Sequence, residues 1–427
     1  MAMFLKVAII GLGYVGLPLA ALLAERLDVI GFDIDASRIK KLEAGEPVLS
    51  EPGLDEALSK AVGSGRLRFS PNPADVSDSD VKIITVGTPY DERAKDVDYS
   101  FLDSAIEIVC GNIKKGDVVA LKSTVPVGTT SERLVKALRA KGYAVPEDVG
   151  VVFSPERMVE GQAIRDFKTL PNIVGASDER SLSIYSEVAS VMGGRIIRVS
   201  NPETAEMVKM TDNYARFAFL GITNELALMC EKAGVDVLEM LKAAKEDYAR
   251  NAGLMIPGPG VGGSCLNKDP FILKANMAKK GLELKIVDAA KEVNYHMPTH
   301  VYLMVKEFRN NAKEVAIAGV AFKGETDDTR FAPSLKINEM LKADGATVRL
   351  SDPYVRSVSG TTRDIYEAVK GAEVLLIMTD HKAYGEMDLK RVKSLMAQNP
   401  LIIDTRGIIK RDEAERLGFE YHGLGRL

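Results

Sequence analysis

Residues 6–35 read KVAIIGLGYVGLPLAALLAERLDVIGFDID. A short apolar run ends in Gly11, Gly13 and Gly16, and a second apolar run closes on Asp33. The pattern predicts strand, turn, helix and strand, and it gives each glycine a task. Gly11 permits the tight turn, Gly13 lets backbone approach a pyrophosphate, and Gly16 lets helix and strand pack closely. The helix start then turns free N–H groups toward the phosphates. Asp33, 17 residues beyond Gly16, would accept from a ribose diol and repel a 2′-phosphate, favouring NAD over NADP. Arg38 lies near enough to receive a phosphate or stack on adenine instead. A glycine turn in an α/β protein that binds no nucleotide is the plainer alternative.

The lysine-led start superficially resembles a secretory signal, but the glycines cut the run where a signal helix would be continuous. Its pieces are also shorter than the roughly 20 residues a membrane helix needs. A cytoplasmic protein without membrane attachment is expected.

Working outward, the first 200 residues alternate near-continuous apolar runs (DVIGFDID, VKIITVG, DVVALKST, VGVVFSPE, PNIVGAS, RIIRVS) with amphipathic stretches. That alternation predicts a parallel sheet covered on both faces. Residues 203–233 hold no proline and one internal glycine, which predicts a helix far longer than the usual 11 to 12 residues. From 313 the strand–helix alternation restarts (EVAIAGVAF, TVRLSDP, AEVLLIMTD, LIIDTRG). The expected fold is α/β, two Rossmann-like doubly wound domains joined by a long central helix. The expected divisions are 1–200 for NAD, 201–305 as a helical middle and dimer interface, and 306–427 for a nucleotide-bearing substrate.

Composition narrows the classes. The 427 residues are 46% hydrophobic and 27% charged with a net charge of −4, enough for several cores and no footprint for nucleic acid. Three cysteines, 110, 230 and 265, form no disulfide framework. The four histidines, 296, 300, 381 and 422, are not spaced as metal ligands, so no metal is expected.

Cys110 and Cys230 sit in amphipathic helical runs and read as core. Cys265 is different, lying in GPGVGGSCLNKDP, residues 258–270. Asp269 as an N-cap with Pro270 after it marks a helix start. A helix N-terminus and the neighbouring Lys268 both favour thiolate. The glycines around it would let a substrate approach without side-chain clash. A thiolate adds to an aldehyde to give a thiohemiacetal, which loses hydride to NAD and leaves a thioester for water to cleave. An alcohol taken through aldehyde to acid, with two NAD per turnover, accounts for the fingerprint, the cysteine and the second α/β half together.

At this point the chain resembles the UDP-glucose/GDP-mannose dehydrogenase family over essentially its whole length. The motifs stand in family order: GLGYVG, VGTP at 86–89, KSTVPVGTT at 122–130, SPERMVEG at 154–161, EMVKMTDNYA at 206–215, GVGGSCLNKD at 260–269 and GVAFKGETDDTR at 319–330. The resemblance implies Cys265 as nucleophile, with Lys209 and Asn213, one turn apart on a helix, at the reacting oxygen. Asp269 would place a water or relay a proton, and Thr124 and Glu156 would complete the acid–base set, Glu156 serving hydrolysis. Arg157, Glu160, Arg250, Gly262, Lys323 and Arg406 join Glu156, Lys209 and Asn213 around the sugar nucleotide. Tyr14, Val15, Thr88, Pro89, Thr124, Lys268 and Arg330 join the fingerprint residues around NAD. Asp327, Asp328 and Arg330 also read as a surface ion pair.

Arg157 and Met158, the PGPGVGG run and Arg216 resemble the branch of the family that acts on UDP-N-acetylhexosamines. Glu160, Ser264 and the Lys268–Asp269 pair resemble the UDP-glucose branch. Leu254 stands where that branch tends to carry an aromatic. Arg250 lies one residue off the spacing of an arginine that reaches into a neighbouring subunit. The reading favours a UDP-N-acetylhexosamine of the UDP-ManNAc or UDP-GlcNAc type, then UDP-glucose, then GDP-mannose. A two-electron hydroxyacid dehydrogenase is the rival that would need no Cys265. A catalytically silent nucleotide-sugar binder is the rival from outside enzymes, and the nucleophile, lysine and carboxylates speak against it.

Overall fold

The structure, a computed structural model, describes residues 5–49, 51–91, 93–94, 96–159 and 161–426. Glu160 lies outside them. Two compact units divide the chain, one running to Asp212 and including Ala275–Lys280, the other comprising Asn213–Lys274 and Gly281–Leu427.

The first unit's strands are β1 (Lys6–Ile10), β2 (Asp28–Phe32), β3 (Leu67–Ser70), β4 (Val81–Ile84), the small antiparallel pair β5 (Tyr90–Asp91) and β6 (Asp96–Val97), then β7 (Val118–Leu121), β8 (Gly150–Phe153), β9 (Asn172–Ala176) and β10 (Ile196–Val199). Its main sheet runs β10-β9-β8-β7-β4-β1-β2-β3. Strand residues alternate between two cores: Val7 and Ile9 join one, Ala8 and Ile10 the other, all at most 1% exposed. That two-sided burial is why β1 reads as a continuous apolar run rather than an alternating one. The following helix, Gly16–Leu23, is buried at every residue, as an apolar segment under a sheet must be.

Strand order reverses at the β1–β4 neighbours, where a doubly wound sheet opens its crevice. Gly11 leaves β1 there, and Thr88 lies just beyond β4.

The expectation of an all-parallel sheet needs one correction. β8 and β9 pair antiparallel, Val152 opposite Ala176 and Phe153 opposite Gly175. The connection between them therefore starts and finishes at the C-terminal edge of β8. Residues 154–171 need not cross the sheet, which leaves Glu156 and Arg157 at the edge where ligands of such sheets bind.

The second unit carries β11 (Glu314–Ala318), β12 (Thr347–Ser351), β13 (Thr361–Thr362), β14 (Val374–Ile377), β15 (Leu401–Asp404) and β16 (Glu420–Gly423). They form one parallel sheet ordered β13-β12-β11-β14-β15-β16, the same winding as the first. Its strands also alternate between two cores, Val315 and Ile317 against Ala316 and Ala318.

The long helix is Pro202–Ala233, 32 residues. Glu206, Lys209, Asn213, Phe217 and Asn224 are buried along it at spacings of three, four or seven, the period of one helix face. No helix among the described residues is long and apolar enough to cross a membrane.

Candidate active site

In the first unit the glycine turn is built as its spacing predicts. Gly11 has a φ of +99°, the left-handed region that glycine enters without penalty. A Cβ on Gly16 would lie 1.9 Å from the Gly11 carbonyl oxygen and 2.6 Å from Thr85 Oγ1. Only hydrogen fits there. A Cβ on Gly13 would meet nothing within 4 Å, so the backbone is open on that side to a pyrophosphate, and the turn fits the cofactor.

Asp33 is 5% exposed and works on the turn itself. Its Oδ2 accepts from the Leu12 N–H and from Arg38, each at 2.8 Å, and its Oδ1 accepts from the Asp35 N–H at 3.0 Å. Arg38 is therefore an ion-pair partner of Asp33. Tyr14 is exposed, Val15 packs on the core below, and Pro89 is exposed beside buried Thr88. Thr88 Oγ1 donates to the Thr124 carbonyl at 2.5 Å, tying the segments after β4 and β7 together.

Glu156 and Lys209 meet in the same unit, Oε2 to Nζ 3.6 Å, with side chains 13% and 9% exposed. Glu156 Oε1 is buried without a hydrogen-bond partner among the described residues, leaving an acceptor lone pair for chemistry. Arg157 turns instead to Asp212, in a two-pronged pair at 2.7 and 3.2 Å.

Two residues that sequence reasoning passed over hold this half-site. Lys122 is 1% exposed and donates to the Ser154 and Pro155 carbonyls at 3.2 and 3.3 Å. Burial pushes its ammonium down to about 8; Glu156 pulls it back up, and Lys209 adds to the fall. Glu206, fully buried, accepts from the Gly128 N–H at 2.6 Å, the Thr130 N–H at 2.8 Å and the Thr130 hydroxyl at 2.6 Å. It secures the loop after Thr124 from a position three residues before Lys209. Burial raises its carboxyl to about 7, against those hydrogen bonds. A charged residue on an otherwise buried helix face was the available signal for Glu206. Lys122 opens the KSTVPVGTT motif at 122–130, which marks the stretch but not the buried task of this lysine.

In the second unit Cys265 is exposed, with Ser264 Oγ 3.9 Å from its sulfur. Its carbonyl accepts from the Lys268 and Asp269 N–H groups at 3.2 and 2.8 Å, closing a turn that leads into the helix Asp269–Lys279. Asp269 is thus the first helical residue and not the N-cap, because the preceding turn already takes up the helix start. Its carboxylate, 1% exposed, is spent elsewhere: Asn213 Nδ2 donates to Oδ2 at 2.6 Å, and Lys268 Nζ lies 3.4 Å from Oδ1. Asn213 and Asp269 form a buried, hydrogen-bonded pair beside the nucleophile's turn.

The glycines before Cys265 also acquire a physical reason. A Cβ on Gly262 would sit 2.2 Å from Phe322 Cβ, and one on Gly263 2.8 Å from that ring's far edge. A Cβ on Gly258 would meet Arg406 at 2.7 Å, and one on Gly260 would meet Pro298 at 3.1 Å. These missing side chains admit protein, where the sequence alone pointed to room for substrate. The Gly263 N–H also donates to the Arg330 carbonyl at 2.8 Å.

Phe322 and Lys323 follow β11, Asp380 follows β14 and Arg406 follows β15, all at the C-terminal edge of the second sheet. Asp380 Oδ1 accepts from Arg406 and from the Gly324 N–H, both at 3.0 Å, so one carboxylate orders both cationic loops. Arg330 makes a two-pronged pair with Asp328 at 2.9 and 2.6 Å. Arg250 is exposed on the short turn Ala249–Asn251, near the ring of Tyr248.

Two doubly wound sheets, one with a dinucleotide turn and the other with cationic loops at its switch point, define a dehydrogenase of nucleotide-bearing substrates. Family models agree along the chain: the NAD-binding domain of the UDP-glucose/GDP-mannose dehydrogenase family matches residues 5–191, its central domain 203–296 and its UDP-binding domain 316–411. The chain belongs to that family and is an NAD-dependent nucleotide-sugar dehydrogenase. It is 32% identical to the UDP-N-acetyl-D-mannosamine dehydrogenase of Methanocaldococcus jannaschii, over 98% of this chain and 96% of that one. It is also 32% identical to the UDP-glucose 6-dehydrogenase TuaD of Bacillus subtilis, over 99% and 93%. The solved UDP-D-ManNAc dehydrogenase of Pyrococcus horikoshii superimposes with a TM-score of 0.89 at 33% identity, covering 99% of each chain.

Proposed function

We propose that the protein oxidises the C6 alcohol of a UDP-N-acetylhexosamine to the uronic acid, a four-electron reaction through a covalent intermediate on Cys265. The observation that carries the covalent route is an exposed thiol on a turn directly ahead of the helix that begins with the buried Asn213–Asp269 pair. The fingerprint residues Gly11, Gly13, Gly16 and Asp33 hold NAD, which when bound accepts a hydride at each of two oxidation levels.

The roles of the side chains follow from their chemistry. Lys209 stabilises the oxyanion of the substrate alcohol and later that of the thiohemiacetal. The Cys265 thiolate bonds to the aldehyde carbon. For hydrolysis, water attacks the thioester carbon, its proton passes to the Glu156 carboxylate, and the C–S bond breaks to return thiolate. Asp269, fixed by Asn213, relays protons beside the thiol. Lys323 and Arg406 bind the diphosphate.

For the sugar, Arg157 and the UDP-N-acetyl-D-mannosamine dehydrogenases among the relatives support the acetamido reading. UDP-glucose is the second reading, supported by Ser264, the Lys268–Asp269 pair and the likeness to TuaD. We also place the enzyme in the cytoplasm, as a homodimer or higher homo-oligomer; the exposed Phe219, Ile222 and Met229 on the long helix support the self-association. A panel of sugar nucleotides followed by NADH absorbance tests the substrate. Two NADH per UDP-N-acetylhexosamine are expected. Turnover with UDP-glucose alone would end the acetamido reading, and one NADH with a stable carbonyl product would end the four-electron one.

A further inference from the structure

Lys122 is a buried ammonium that the reaction as described does not use. It directly follows β7, and the Ser154 and Pro155 it contacts directly follow β8, the parallel neighbour of β7. The Ser154 N–H still donates to the Leu121 carbonyl at 3.0 Å, but residues 155–159 lie outside helix and strand, so beyond Ser154 no ladder fixes the chain from which Glu156 projects. An apolar residue of similar length would fill the same space without the cost of burying a charge. What lysine adds is donors, and two of them go to the carbonyls of the two residues preceding Glu156.

We propose that Lys122 is a positioning residue for the hydrolytic half of the reaction: its ammonium clamps the Ser154–Pro155 backbone so that Glu156 presents its carboxylate beside Lys209. The inference rests on the covalent reading above and assigns the clamp to one step of it. The groups around the ammonium are Glu156 and Lys209, whose charges it feels, and the Phe167 ring, whose centroid lies 5.8 Å from Nζ. Arg157 and Asp166 lie with Lys122 around a small adjoining cavity. Among these, only Glu156 follows directly on the clamped backbone.

The test uses rapid-quench kinetics of the full-length enzyme with saturating NAD and its best sugar nucleotide. NADH formed per subunit and the mass of the Cys265 adduct are followed in wild type, Lys122→Met, Lys122→Gln, Glu156→Gln and the Lys122→Met/Glu156→Gln double variant. Lys122→Met is expected to keep the early burst of NADH, lose on the order of tenfold or more in steady-state rate, and accumulate acylated Cys265. On the Glu156→Gln background the same change should add less than about twofold, because the clamp acts through that carboxylate.

Equal slowing of burst and steady state, absence of the adduct, or independent multiplication with Glu156→Gln would overturn the proposal. Lys122→Gln, which keeps a donor, is expected to retain more of the steady-state rate than Lys122→Met; should Lys122→Met not fold, equal slowing of burst and steady state in Lys122→Gln would overturn the proposal. A wild type that gives one NADH and never carries an adduct would refute the covalent reading itself, a result separate from any failure of the clamp.

Discussion

Replacing Gly262 by alanine is the sharpest way to separate packing from chemistry at the cysteine turn. The new Cβ would stand 2.2 Å from Phe322 Cβ, while ordinary contact begins at 3.4 Å, so about 1.2 Å of movement is required. No rotamer provides it, because a Cβ is fixed to its own backbone. The Phe322 backbone is held by its N–H to the Asp328 carbonyl, and the preceding Val320 and Ala321 N–H groups both donate to Asp352. The glycine turn therefore gives way, three residues before the nucleophile. A displacement near 1 Å at reacting atoms costs on the order of 100-fold in rate, whereas overpacking costs about 1 to 3 kcal/mol of stability. NADH formation should fall by about two orders of magnitude in kcat/KM. NAD binding, followed by fluorescence titration, should be unchanged, since the dinucleotide turn belongs to the other unit. Phe322→Ala should not rescue the variant, because it keeps the Cβ; Phe322→Gly should restore part of the rate. A folded Gly262→Ala enzyme within threefold of wild type would refute the reasoning.

Other expectations follow from the same geometry. Gly16→Ala, with its Cβ 1.9 Å from a carbonyl oxygen, should abolish measurable NAD binding by calorimetry; wild-type affinity would show that the turn relaxes freely. Asp33→Ala frees both the Leu12 N–H and Arg38, so NAD affinity should drop at least about tenfold while NADP gains; an unchanged NAD/NADP ratio counts against Asp33 as the selector. Asp352 supplies the pH test. Burial alone would raise its carboxyl, but hydrogen bonds from His381 and from the Ala321, Val355 and Tyr354 N–H groups outweigh it and hold it at about 2. A depressed carboxylate stabilises the fold above its unfolded value near 4 and loses that contribution as pH falls toward 2. Asp352→Asn should therefore cost about 2 kcal/mol at pH 7, and its melting curve should converge with wild type near pH 2; a constant difference across that range would exclude the titration.

The fold was legible where burial is two-sided. β1, β4, β7, β8, β11, β14 and β15 are apolar at nearly every residue because both faces are covered, and the sequence shows that directly. Of the four edge strands of the two main sheets only β10 was: β3 (LRFS) and β16 (EYHG) alternate with polar residues, and β13 is two residues long. Nor does any local pattern reveal that β9 runs against β8, since strand direction depends on where the chain between them turns. The cysteine and its motif stood out by residue type. The reasons for the surrounding glycines, and the buried tasks of Lys122 and Glu206, were hidden because their partners lie 32 to more than 70 residues away.

The packing of Phe322 against Gly262 and Gly263 bears on how descendants of this protein should be interpreted. A lineage that abandoned oxidation could replace the thiol by serine or alanine at little structural cost, yet Phe322, through its Cβ at Gly262 and its ring at Gly263, would still forbid side chains at both glycines. Retention of the glycine run thus records inherited architecture, and only the residue at position 265 records whether the chemistry survives. The same constraint limits transplantation. The turn could not be moved into another scaffold as a self-contained peptide, because Phe322, Pro298 and Arg406, the surfaces that mould it, would have to travel with it.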